Sequence, residues 1–122
     1  MSTLAHILVA DDDEQLRTAL EEQLIAEGYE VTLAIDGSEA IDIMKRKEVD
    51  VAVIDVKMPK MNGFQVLEFI KKNFPKIKTI ILTAYADIES IKRCKDFGAD
   101  DVIEKPYDLG DLFDSIHFVT KK

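Results

Sequence analysis

Residues 51–63 read VAVIDVKMPKMNG. A continuously apolar run, 51–54, leads into Asp55, and Met58-Pro59 and Asn62-Gly63 follow within a few positions. A run this short, ended by turn-forming residues, reads as a strand. Because it does not alternate apolar with polar, it suits a strand covered on both faces, as in a parallel sheet. Driving a carboxylate to the tip of such a strand is costly unless something uses the charge.

Working outward, the same pattern recurs. Apolar runs at 7–10, 29–34, 79–82 and 102–103 read as further strands, and segments of helical period separate them. Leu16, Leu20 and Leu24 repeat at i, i+4, i+8 and Gly28 closes that helix. Ser38 is the expected N-cap of a second helix, with Glu39 favouring its start and Ile41 and Met44 facing inward. Phe64, Leu67 and Ile70 mark a third, stopped at Phe74-Pro75. Ile88, Ile91 and Cys94 mark a fourth that ends near Gly98. A fifth carries Leu112, Phe113, Ile116 and Val119, with Gly110 near its start at a cost of about 1 kcal/mol if interior.

Five strands alternating with five helices in 122 residues define one domain of α/β class, doubly wound. In such sheets ligands bind beyond the carboxyl ends of the strands. Composition narrows what binds. Hydrophobic residues make up 47% of the chain and charged residues 33%, so it is a globular chain and not a disordered one. The net charge of -8 disfavours direct contact with nucleic-acid phosphates or an anionic membrane. The single cysteine, Cys94, rules out an internal disulfide and reads as core; with no signal-peptide profile at the N-terminus, the expected compartment is the cytoplasm.

The polar residues at the strand ends are the candidates for chemistry. The first strand runs into Asp11-Asp12-Asp13, the third into Asp55, the fourth into Thr83 and the fifth into Lys105-Pro106. Crowded aspartates repel one another unless a cation is present. A hard divalent ion such as Mg2+, which keeps waters and bridges to phosphate oxygens, suits a site with few carboxylates. Taken singly, each residue has a plainer role: Asp11–Asp13 as helix caps, Asp55 as a turn residue, Thr83 as a strand-end hydroxyl, Lys105 as a surface charge. Their joint occurrence at four strand ends favours a site. Asp13 is expected at the helix start and not on the metal, and His6 and His117 are isolated and read as structural or surface residues, not as phosphoryl carriers.

ILVADDDEQLR, VIDVKMPKMNG, ILTAY and IEKPY, in this order and at these intervals, resemble the receiver domains of bacterial two-component response regulators. The resemblance covers essentially the whole chain. It implies a flavodoxin-like (βα)5 fold with a five-stranded parallel sheet of order 2-1-3-4-5, forming a single receiver domain over 1–122 with no output domain in this chain. It further implies that Asp55 accepts a phosphoryl group from the phosphohistidine of a sensor kinase or phosphotransfer protein. Asp12 would bind Mg2+ directly and Asp11 through water, with Asp55 and the backbone carbonyl of Lys57 completing the protein ligands. Lys105 would pair with the carboxylate and then the phosphoryl group, while Thr83 would hydrogen-bond the latter and pull on its loop. Such a domain catalyses only its own phosphorylation and dephosphorylation. Its output would pass through the surface of the fourth helix, fifth strand and fifth helix to an effector protein or a fused output domain.

Some flanking residues fit the same picture and one departs from it. Pro59 restricts Met58 to an extended conformation, Asn62-Gly63 permits a tight turn, and Lys105-Pro106 resembles the family's cis peptide bond. Tyr85, two residues after Thr83, is expected either to cover the site in part or to limit access of the attacking water. Val102, however, stands where receivers usually carry Tyr or Phe, and its stiff, short side chain weakens or reroutes the usual aromatic report of phosphorylation. Two other classes fit parts of the sequence. One is a phosphorylation-independent interaction module. The other is a haloacid-dehalogenase-like phosphohydrolase, for whose D-x-D motif Asp11–Asp13 is a superficial match, although the chain has no room for a cap domain.

Overall fold

The computed structural model describes residues 5–58, 60–84 and 88–121, so the expectations for Pro59 and Tyr85 and for the side chain of Ile88 lie outside it. Strands and helices alternate: β1 (His6–Ala10), α1 (Glu14–Ala26), β2 (Glu30–Ala34), α2 (Gly37–Arg46), β3 (Val51–Asp55), α3 (Gly63–Asn73), β4 (Lys78–Thr83), α4 (Ile88–Asp96), β5 (Asp101–Glu104) and α5 (Leu109–Thr120). All pairings are parallel and the strand order is β2-β1-β3-β4-β5. This is the doubly wound flavodoxin-like arrangement expected from the sequence.

The apolar runs that carry no alternation are the central strands. Every residue of β1 and β3 is buried, whereas the edge strand β2 is fully buried only at Ala34. Successive residues feed opposite layers. Ile7 and Val9 of β1 join Leu20 and Leu24 of α1 and Leu112, Ile116 and Val119 of α5. Leu8 and Ala10 face the other way, toward Ile41 and Met44 of α2, Val66, Leu67 and Ile70 of α3, and Cys94 of α4. No described helix is long and apolar enough to cross a membrane.

The differences from the sequence reading lie at element ends. Asp36, not Ser38, caps α2, its carboxylate accepting from the Glu39 N–H at 2.8 Å. Glu39 reaches back to the Ile35 N–H at 3.0 Å, so the helix starts one residue before Ser38. Gly110 lies in the first turn of α5, behind the Asp108 cap, and escapes the cost of an interior glycine. Tyr29 precedes β2 and packs beneath α1, while β5 gains a residue at each end. Gly28, at φ 100°, and Phe74 end their helices as expected.

Ile81 of β4 is fully buried, so Ile81→Ala is expected to lower unfolding free energy by about 2–5 kcal/mol in urea denaturation. Ile25 on α1 is 53% exposed, and Ile25→Ala is expected to stay within about 0.5 kcal/mol of wild type. Equal losses at the two positions would contradict this layer assignment.

Candidate phosphoryl and metal site

Because the strands are parallel, all five deliver their carboxyl ends to one edge of the sheet. Asp11 follows β1 directly, its N–H donating to the Ala34 carbonyl at 3.2 Å, and it is fully buried. Asp55 is the last residue of β3 and is 7% exposed. Lys105 follows β5 and its backbone N–H donates to the Thr83 carbonyl at 2.8 Å, tying it to the end of β4. The Lys105-Pro106 peptide bond is cis.

The Lys105 ammonium bridges the two buried carboxylates. Its Nζ donates to Asp55 Oδ2 at 2.9 Å and to Asp11 Oδ2 at 3.3 Å. Backbone groups hold the remaining oxygens: the Lys57 N–H donates to Asp55 Oδ1 at 3.2 Å and the Asp13 N–H to Asp11 Oδ1 at 2.9 Å. Arg17 Nη1 donates to the Asp11 carbonyl at 2.8 Å. Burial pushes the Asp11 carboxyl above its ordinary range; the Asp13 N–H opposes the rise, and the Asp55 charge adds to it. For Lys105 burial works against the charge, but hydrogen bonds to Asp55 and Asp11 and their charges prevail, and the ammonium is held above its usual value.

Asp12 is exposed beside this pair, and one carboxylate oxygen from each of Asp11, Asp12 and Asp55 lies within 4.8 Å of the others. Together with Asp13, Val56, Lys57, Ala84 and Lys105 they line a cleft of about 270 Å³. A set of hard oxygen donors, with excess negative charge that one ammonium only partly offsets, fits a small divalent cation. Of the residues picked out from the sequence, Asp11, Asp12, Asp55, Lys57 and Lys105 meet in this cleft. Thr83 sits buried at the adjacent strand end, outside the lining. Asp13 caps α1, accepting from the Leu16 N–H at 3.2 Å.

The isolated residues behave as read. His6 is buried at the opposite edge of the sheet, between the Glu48 carbonyl (2.6 Å) and the Thr32 hydroxyl (2.7 Å), and His117 is exposed on α5. Cys94 is core, and burial pushes its thiol up. Val102 packs, partly buried, against the layer of α2, α3 and α4. Sequence reasoning missed two arrangements. Arg93 of α4 lies over the rings of Phe64 (4.2 Å) and Phe97 (5.6 Å), which meet edge to face. Asp36 lies against the connection after β3, and the spacing D-x-x-E from Asp36 to Glu39 was the available signal for its cap.

A family model for the response regulator receiver domain matches residues 7–117. Sporulation initiation phosphotransferase F of Bacillus subtilis is 34% identical over 110 residues, covering 90% of this chain and 89% of that protein. Response regulator MprA of Mycobacterium sp. (strain KMS) is 37% identical over 106 residues; the match covers 87% of this chain but 46% of MprA. Among solved structures, a CheY-like receiver domain protein from Methanospirillum hungatei superposes with a TM-score of 0.89 at 34% identity, covering 94% of this chain and 92% of that one. CheY4 of Vibrio cholerae gives 0.90 at 29% identity, with 96% and 99% covered. The chain belongs to the response regulator receiver domain family. Its members are phosphoryl-accepting signalling switches of two-component systems, not conventional enzymes, and they bind Mg2+ in their acidic pocket.

Tyr107, two residues after Lys105, has a buried hydroxyl with no hydrogen-bond partner among the described residues, and burial pushes its pKa up to about 12. The folded-state value lies above the ordinary 10.0, so this contribution to stability is full below pH 10 and is lost as pH rises through about 12. Tyr107→Phe is expected to be neutral or stabilising at pH 7, within about 1 kcal/mol, and to flatten the alkaline loss of stability. Denaturant melts from pH 7 upward test this; an unchanged alkaline limb would contradict it.

Proposed function

We propose that this domain takes a phosphoryl group onto Asp55 from a phosphohistidine of a sensor histidine kinase or phosphotransfer protein. The observation that carries the reading is Lys105, whose ammonium spans Asp55 and Asp11 at 2.9 and 3.3 Å in a cleft that also holds Asp12. A carboxylate is a poor nucleophile toward an anionic group unless charge on that group is cancelled. When bound by Asp11, Asp12, Asp55 and the Lys57 carbonyl, Mg2+ would supply much of that cancellation. Asp55 contributes the attacking oxygen; its new bond to phosphorus replaces the bond to the donor imidazole nitrogen. Lys105 turns from the carboxylate to the transferred group and stays charged throughout, since its partners hold it protonated. Thr83 supplies a hydroxyl at the end of β4. Hydrolysis of the acyl phosphate returns Asp55 to its starting state, so the domain's catalysis is confined to itself.

The cytoplasm is the compartment proposed for this exchange. Signal leaves through the face of α4, β5 and α5, toward an effector protein or a fused output domain, by a shift between pre-existing conformations. Val102 leaves β5 without the usual aromatic reporter. The stack of Arg93 on Phe64 joins α4 to the first turn of α3, directly after the Asp55 loop, and offers another route. The intact set of Asp11, Asp12, Asp55 and Lys105 disfavours a phosphorylation-independent module.

With Mg2+ and a small phosphodonor, wild-type protein is expected to acquire one acid-stable, alkali-labile phosphoryl group that Asp55→Asn does not. Lys105→Met is expected to slow the transfer by about 10²-fold. Persistent labelling of Asp55→Asn would overturn the assignment.

A further inference from the structure

The connection after Asp55 is held from two sides. On the inner side the Val56 N–H donates to the Leu82 carbonyl at 3.1 Å, and the Gly63 N–H donates to the Val56 carbonyl at 2.8 Å, joining the two ends of the connection. Gly63 fits so closely that a Cβ there would stand 2.7 Å from the Asp55 carbonyl oxygen. On the outer side stands the start of α2. A Cβ on Gly37 would lie 2.3 Å from the Met61 carbonyl oxygen and 2.8 Å from Val66, so backbone rests on backbone with no space for a side chain.

Asp36, next to that contact, is 4% exposed and uses its two oxygens differently. Oδ1 caps the helix at the Glu39 N–H, 2.8 Å away, and Oδ2 lies 3.5 Å from the Lys60 ammonium. Capping needs only an acceptor, which Ser or Asn supplies without a charge. The Glu39 N–H, aided by Lys60, holds the Asp36 carboxyl below its usual range, and its second oxygen is what reaches the loop. Lys60 itself has φ 68°, in the left-handed region that residues with side chains disfavour, so its position is imposed by its surroundings.

We propose that Asp36 and Gly37 are positioning residues: the start of α2 is the outer seat that fixes Lys60 and Met61, and through them the backbone of Lys57 beside Asp55. The inference rests on the reading above, in which the Lys57 carbonyl is a cation ligand. Outer groups that orient a ligand tune metal affinity without touching the ion.

Isothermal titration of Mg2+ into the full chain, without phosphodonor, separates the possibilities. Asp36→Asn keeps a capping oxygen and loses the charge; it is expected to weaken Mg2+ binding by about tenfold with thermal stability near wild type. Lys60→Met should give the same loss and the double variant no more than either. Gly37→Ala, which forces the Met61 backbone outward, should weaken binding further. Wild-type Mg2+ affinity in Asp36→Asn and Lys60→Met overturns the proposal, and so does a fall in melting temperature with affinity unchanged. Asp12→Asn is the control on the underlying reading: if wild type does not bind Mg2+, or Asp12→Asn binds it equally well, that reading fails and the inference falls with it. Loss in Asp12→Asn with none in Asp36→Asn fails the inference alone.

Discussion

One ammonium group shared between two buried carboxylates is the constraint on which the rest of the site depends. Asp11 and Asp55 sit at the ends of neighbouring strands β1 and β3, and their placement inside the protein is tolerable because Lys105 lies between them while the Asp13 and Lys57 N–H groups hold their other oxygens. The compensation is incomplete. Burial and the neighbouring Asp55 still push Asp11 up, and Asp12 adds a further negative charge at the mouth of the cleft. A site left short of positive charge in this way attracts a cation, and a cation plus Lys105 can then hold a phosphoryl group. The charge imbalance that costs folding energy is therefore the same feature that makes the chemistry available.

The fold converts this local electrostatics into reach. Asp55 and Thr83 end adjacent strands, so events at the cleft bear on two connections at once, one leading to α3 and one to α4. Those helices are in contact again through Arg93, Phe64 and Phe97. A guanidinium over aromatic rings is a directional contact, sensitive to small shifts of either helix. Val102 of β5 packs, partly buried, against the same layer, so the contact of Arg93 with Phe64 and Phe97 lies on the same side of the sheet as that strand's side chain.

Much of this was legible in the sequence, for reasons that can be named. Continuous apolar runs identify β1, β3 and β4 because a parallel sheet covered on both faces leaves no position for a polar residue. Asp11, Asp55 and Lys105 stood out because charge at a strand tip is anomalous against that background. Element ends were less legible. Ser38 and Asp36 are both good caps, and only the reach of Glu39 to Ile35 decides between them. Gly110 looked costly because its distance from the Asp108 cap could not be read from periodicity. Contacts between residues distant in sequence, such as Gly37 with Met61 or Arg93 with Phe64, depend on how α2, α3 and α4 pack, and no local pattern encodes that packing.

The central claim is that the charge at the end of β3 is there to receive a phosphoryl group. Borohydride reduction converts an aspartyl phosphate to homoserine, so treating phosphodonor-loaded protein and locating the modified residue by peptide mass spectrometry reads the acceptor directly. The account predicts homoserine at position 55, dependent on Mg2+ and abolished by Asp12→Asn. Modification at Asp11, Asp12 or Asp13, or none at all under conditions where Mg2+ is bound, would contradict it.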